Sequence, residues 1–433
     1  MSEQGPQIDK LLAKVQTRRD AAAKTENPDI TTDRRPTREN TDVPRSPTTR
    51  LIRGSLTASL KDIKNDPQMR VDLVPGFVSE SRKMAEDLDK LDVQFHKSGK
   101  FLDAGKGSDK KNSIYAVTLD LREPSNEPDT RTPWVMIGGA YSTSEQNAAL
   151  SMALALQGEK VMVVTHPEQM RDQEGRRGLL DLFKNTAKDD IGMFKNALVS
   201  TGFSKVNLLG DSVGGAFALA LASDSELTKK VQIENAIILQ PVGFEKRTQK
   251  ELMTEGNADE KRNVNDPEAK VIMALQGNTD AYRKSGAQLH DVSSFKRMIE
   301  ARKFISSSKV TSDKLNDSES IARAVENISG ELEIWSCGGD GLARPEAIQA
   351  AINNALPLLK EDDKTRLYSY NVTGAHHNQL ILNAFGFMRA RFEEQEARRQ
   401  IGEAYKGTKT MDIKTMERSG AEYLLKKMQS RTK

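Results

Sequence analysis

Short apolar runs alternate with helix-period segments along most of this 433-residue chain, and that rhythm constrains its fold more than any other feature. Strand-like runs lie at Ser113–Leu121, Trp134–Ile137, Val161–Val164, Lys205–Leu209, Ala236–Leu239, Leu332–Trp335 and Arg366–Val372. Several are apolar at every position, as strands covered on both faces are. Helical patterns fall between them at Ser144–Gln157, Gly178–Ser200, Gly214–Ala222, Pro345–Leu359 and Gln379–Arg399. Such alternation predicts an α/β fold, a mostly parallel central sheet with helices on both faces.

Three stretches fall outside the rhythm. Residues 1–55 include Thr25–Thr49, which has four prolines and almost no apolar side chain, so a flexible N-terminal tail is expected there. Residues 244–329 are charged and helical in pattern, with no buried-type strand, and interrupt the sheet rhythm. They read as a helical cap insertion that divides a core of 56–243 and 330–404. Residues 405–433 are basic, with sparse apolar anchors at Met411, Ile413, Met416, Tyr423 and Leu424, and read as a helical tail.

Composition excludes several classes. The 65 basic and 62 acidic residues leave a net charge of +3, too little for nucleic acid as the main partner. The single cysteine, Cys337, rules out an intrachain disulfide framework and a cysteine-rich metal site, and fits a reducing compartment. The most apolar stretch, Val206–Ser223, holds Asp211 and three glycines, so no membrane span is expected. No secretory signal is visible at the N-terminus, and the expectation is a soluble, cytoplasmic protein.

The chemistry is concentrated in Val206-Asn207-Leu208-Leu209-Gly210-Asp211-Ser212-Val213-Gly214-Gly215. Gly-x-Ser-x-Gly is a weak signal alone, but here an apolar strand leads in and an Ala/Leu helix leads out. A turn that sharp lifts the serine hydroxyl off the sheet edge beside a helix N-terminus, where developing negative charge is favoured. A serine needs a base. Of His96, His166, His290, His376 and His377, only the last two follow a late strand and a glycine-bearing loop, Thr373-Gly374-Ala375. His166 is the next candidate, and His96 and His290 read as surface residues. The imidazole needs a carboxylate, and Asp340 ends the strand Leu332–Trp335 after Gly338-Gly339. An oxyanion would find the N–H of Val213 and a second donor on the Gly138-Gly139 turn, either Gly139 or Ala140.

From Ser113 to Arg391 the chain resembles the α/β-hydrolase superfamily, with Ser212, Asp340 and His376/His377 in the order nucleophile, acid, base. The resemblance implies a mainly eight-stranded sheet and cofactor-free serine catalysis. It departs from the family in Ile137-Gly138, where many members carry His-Gly, and in Cys337, where a glycine is common. Spacing from Gly374 admits either histidine as base, with His377 preferred. The expected activity is hydrolysis of a small-molecule ester, thioester or amide through an acyl-enzyme, with the tails free to meet a protein partner. The alternative is a catalytically silent module of the same fold.

Overall fold

The computed structural model describes residues 98–105, 113–122, 129–139, 147–164, 187–248, 314–377, 379–382, 384–401 and 407–416, with scattered positions at 90–94 and 250–258. The proposed N-terminal tail, most of the proposed cap, His96, His166, His290 and Ala140 lie outside them.

The strands are β1 (Lys100–Asp103), β2 (Ser113–Leu119), β3 (Trp134–Ile137), β4 (Val161–Val164), β5 (Lys205–Asp211), β6 (Gln232–Leu239), β7 (Leu332–Cys337), β8 (Leu367–Thr373) and β9 (Thr408–Asp412). They form one nine-stranded sheet in the order β1-β2-β4-β3-β5-β6-β7-β8-β9. β2 runs antiparallel to both its neighbours, and every pairing from β4 to β9 is parallel. The mostly parallel sheet expected from the strand–helix rhythm is therefore present. Its middle strand, β5, carries the serine motif at its C-terminal end.

Alternation along each strand divides the core into two layers. Val135 and Ile137 of β3 join Leu208 and Ile238 on one face, beneath α2 (Ala187–Ser200), α3 (Val213–Ala222), α4 (Ser318–Asn327) and α5 (Pro345–Ala355). Trp134 and Met136 join Leu209, Ile237 and Trp335 on the other, beneath α1 (Ala148–Ala155) and α6 (Ala384–Ile401). α3 is apolar nearly all round, and nine of its ten residues are buried. Burying a side chain such as Phe217 stabilises by about 2–3 kcal/mol. On the second face Glu333, itself buried in β7, accepts from Arg391 Nε at 3.0 Å and from Trp335 Nε1 at 3.1 Å, which ties α6 to the sheet. Among the described residues, no helix is long and apolar enough to cross a membrane.

Two boundaries differ from the expectation. α4 lies within residues 244–329 yet packs in the sheet-flanking layer, with Ile321, Ala324 and Val325 in the core cluster. Its charged residues face out, and Asp317 caps it by accepting from the N–H of Ser320 at 2.9 Å. A strand stands where the helical tail was expected. Thr408–Asp412 pairs in parallel with β8, which makes the sheet nine-stranded instead of eight. Thr408 and Thr410 favour an extended chain, and the open edge of β8 supplies the hydrogen bonds.

Candidate active site

Ser212 is the single residue between β5 and α3. Its backbone sits at φ 53°, ψ −116°, a conformation that costs an ordinary L-residue energy and must be held by its surroundings. The Ser212 N–H donates to Leu239 O at 2.9 Å, while its carbonyl accepts from Ala216 N at 3.1 Å. The motif glycines have a steric cause. A Cβ on Gly210 would collide with the Gly214 carbonyl and Ala218, and one on Gly214 would collide with the carbonyls of Ile137 and Gly138. The glycine turn after β3 is thereby drawn against the serine, and a Cβ built on Gly139 would stand 3.1 Å from that of Ser212. Val213 opens α3, so its N–H has no acceptor within the helix.

His377 arrives from the far side of the sheet. After β8, Gly374 turns the chain at φ 75°, a left-handed conformation suited to glycine, with Ile413 beyond β9 packed against it. His377 is buried, and its Nε2 lies 2.8 Å from Ser212 Oγ although 165 residues separate the two in sequence. Its Nδ1 lies 2.7 Å from Asp340 Oδ2. A carboxylate can only accept, so Nδ1 carries the proton and Nε2 is left to accept from the serine hydroxyl. Asp340 is held in turn by its other oxygen, Oδ1, which accepts from the N–H groups of Leu342 and Ala343, each at 2.8 Å.

Strand order, the elbow after β5, the acid after β7 and the histidine after β8 all fall into one pattern. The chain has the α/β-hydrolase fold.

No protein-family model and no curated protein matches the sequence. Solved structures similar to this chain include a carboxylesterase of Nitrososphaera gargenis, 14% identical, with a TM-score of 0.44 over 69% of this chain and 98% of that one. Naproxen esterase from Bacillus subtilis is 11% identical, with a TM-score of 0.40 over 76% of this chain and 100% of that one. The thioesterase domain from the curacin biosynthetic pathway is 14% identical, with a TM-score of 0.40 over 66% and 95%. Strand order and elbow, rather than these distant likenesses, define the fold.

The hydrolase-fold site separates the two adjacent histidines. His376 turns away from Ser212: its Nδ1 donates to Gly339 O at 2.9 Å, and its backbone N–H donates to Gln379 Oε1 at 2.6 Å. It thus fastens the loop that carries Asp340 to the loop that carries His377.

Beneath Ser212 lies a polar layer with no motif to announce it. Cys337 Sγ donates to Gln240 Oε1 at 3.1 Å, and Gln240 Nε2 donates to Asp211 Oδ1 at 2.9 Å. The three residues sit at the C-terminal ends of β7, β6 and β5. Gln240 adopts φ 37°, unusual for a residue with a side chain. Asp211 is fully buried, its Oδ2 has no hydrogen-bond partner, and burial pushes its carboxyl up to about 7 despite the opposing influence of His377 and Gln240. The signal for this layer was the Cys337 departure from the family pattern, which exchanges a glycine for a side chain that reaches Gln240.

Proposed function

We propose that this protein is a serine hydrolase that cleaves a carboxylic ester, thioester or amide of a small molecule through an acyl-enzyme. The single observation that carries the proposal is the continuous buried relay from Ser212 Oγ through His377 to Asp340 Oδ2, with steps of 2.8 and 2.7 Å. In this reading Ser212 Oγ attacks the substrate carbonyl as its proton passes to His377 Nε2. The carbonyl oxygen becomes an oxyanion, received by the N–H of Val213 and by the Gly139 turn, with Ala140 the other candidate donor. Collapse expels the leaving group, which takes the proton from His377. Water then repeats the sequence, giving His377 its proton as it attacks the acyl carbon, and Ser212 recovers that proton as the acid departs. Asp340 keeps the Nδ1 tautomer throughout and stabilises the transient imidazolium.

A fluorophosphonate probe tests the reading. Wild type labels and Ser212→Ala does not, and on a p-nitrophenyl ester panel kcat falls in the variant by about 10⁶-fold. A wild type that neither labels nor turns over any of the panel would leave a silent module of the same fold as the better account.

A further inference from the structure

Asp340 sits on a loose support. Gly338, Gly339 and Gly341 surround it, so the backbone has little stiffness of its own there. On the N-terminal side the loop is held through Gly339 O by His376. On the C-terminal side the hold comes from a residue outside the sheet. Arg247, only 6% exposed, donates from Nη1 to Gly341 O at 2.6 Å and to Leu342 O at 3.3 Å. Leu342 is also one of the two residues whose N–H groups fix Asp340 Oδ1.

Stability does not account for an arginine in this place. Its Nε and Nη2 are buried without hydrogen-bond partners, and both bonds it makes run to uncharged carbonyls. A buried cation so poorly compensated costs folding energy, and an apolar side chain of similar volume is often neutral or better there. The surrounding charged groups offset only part of this. Glu245 Oε1 forms ion pairs without hydrogen bonds, 3.6 Å from Arg247 Nη1 and 3.5 Å from Arg344 Nε, so its charge is shared between two arginines. Glu251 is exposed, and the Glu255 carboxyl packs against Gly341. What Arg247 does achieve is geometric, since it joins the first residues of the proposed cap to the loop that presents Asp340.

We propose that Arg247 is a positioning residue for Asp340, holding the Gly341–Leu342 backbone so that the carboxylate stays on His377 Nδ1. The inference rests on the serine-hydrolase reading above, and the experiment separates the two. Fluorophosphonate labelling of wild type, lost in Ser212→Ala, establishes the parent reading; without it both fall. Given labelling, Arg247→Met and Arg247→Lys are compared with wild type on p-nitrophenyl butyrate. Arg247→Met lowers kcat about 10- to 100-fold with KM little changed, as expected for a catalytic group displaced by a fraction of an ångström to an ångström. The acid limb of its pH–kcat profile moves to lower pH, because an imidazole that loses its carboxylate is less readily charged. Its denaturation midpoint stays close to that of wild type, because the relief from burying the cation offsets the loss of its bonds to Gly341 O and Leu342 O. Arg247→Lys, which keeps the charge and a single donor nitrogen, loses less activity. In an Asp340→Asn background Arg247→Met has little further effect, since nothing remains to be positioned. A wild-type rate and limb in Arg247→Met, or losses that add fully to those of Asp340→Asn, would overturn the assignment. So would a wild-type rate and limb in Arg247→Lys beside an unfolded Arg247→Met, which would make the role structural.

Discussion

Replacing Asp211 by asparagine isolates one buried charge and predicts a pH-dependent gain in stability. In the folded protein the carboxyl titrates near about 7, against 3.8 for a free side chain, because burial disfavours its ionised form. The folded state therefore holds a proton that the unfolded chain has already released. Stability from this group is complete below about pH 4 and is lost as pH rises through the folded value near 7. A gap of about three on the pH scale, at about 1.4 kcal/mol each, makes the full loss about 4 kcal/mol. Asparagine has the same shape, and its carbonyl can still accept from Gln240 Nε2, but it carries no charge to desolvate. The stability of Asp211→Asn minus that of wild type should therefore grow by about 3 kcal/mol between about pH 4.5 and pH 8. Urea denaturation of both proteins across that range measures it. Subtracting one protein from the other cancels the titration of the shared groups that do not interact with Asp211, which leaves the Asp211 contribution and its coupling to His377 and Asp340. A difference that is flat with pH, or that shrinks as pH rises, would refute the buried-carboxyl reasoning.

The adjacent histidines provide a second prediction: His377→Ala should lower kcat by about 10⁵- to 10⁶-fold, whereas His376→Ala, which frees Gly339 O and leaves His377 in place, should cost about tenfold or less. Steady-state kinetics on one ester compares them, and equal losses would contradict the assignment. For α4, Ile321→Ala should destabilise the whole protein by about 2–5 kcal/mol, because Ile321 is fully buried in the sheet-flanking layer. A denaturation midpoint unchanged in that variant would return the helix to the cap.

What could be read from the chain alone follows from where each element lies in the sheet. β3, β4 and β7 are covered on both faces, so their apolar runs stand out against the background. β1 (Lys-Phe-Leu-Asp) and β9 (Thr-Lys-Thr-Met-Asp) are edge strands, short and partly charged, and carry no such signature. Ser212 and Asp340 were legible because each follows such a strand with glycines at fixed offsets. Choosing between His376 and His377 needed the fold. Neighbouring residues on a turn point in different directions, and their spacing from Gly374 does not reveal which one faces a serine 165 residues away. The partners in the Asp211–Gln240–Cys337 layer, whose one trace in the sequence is Cys337 in place of a glycine, and the grip of Arg247 were illegible for a related reason. Each is made by side chains far apart in sequence, brought together only when the strand ends align.

β9 also bears on how separate copies of the molecule behave at high concentration. Without it, β8 would present a row of unpaired amides and carbonyls backed by Leu367, Tyr370 and Val372, all buried now. An apolar edge of that kind is a template onto which another chain can add a strand. β9 replaces it with five residues of which Thr408, Lys409, Thr410 and Asp412 are polar, and Lys409 is engaged by Glu394 of α6. A short, charged rim is a poor template. The strand that braces the histidine loop thus also guards against polymerisation, and a chain deprived of it would tend to form insoluble β-rich aggregates.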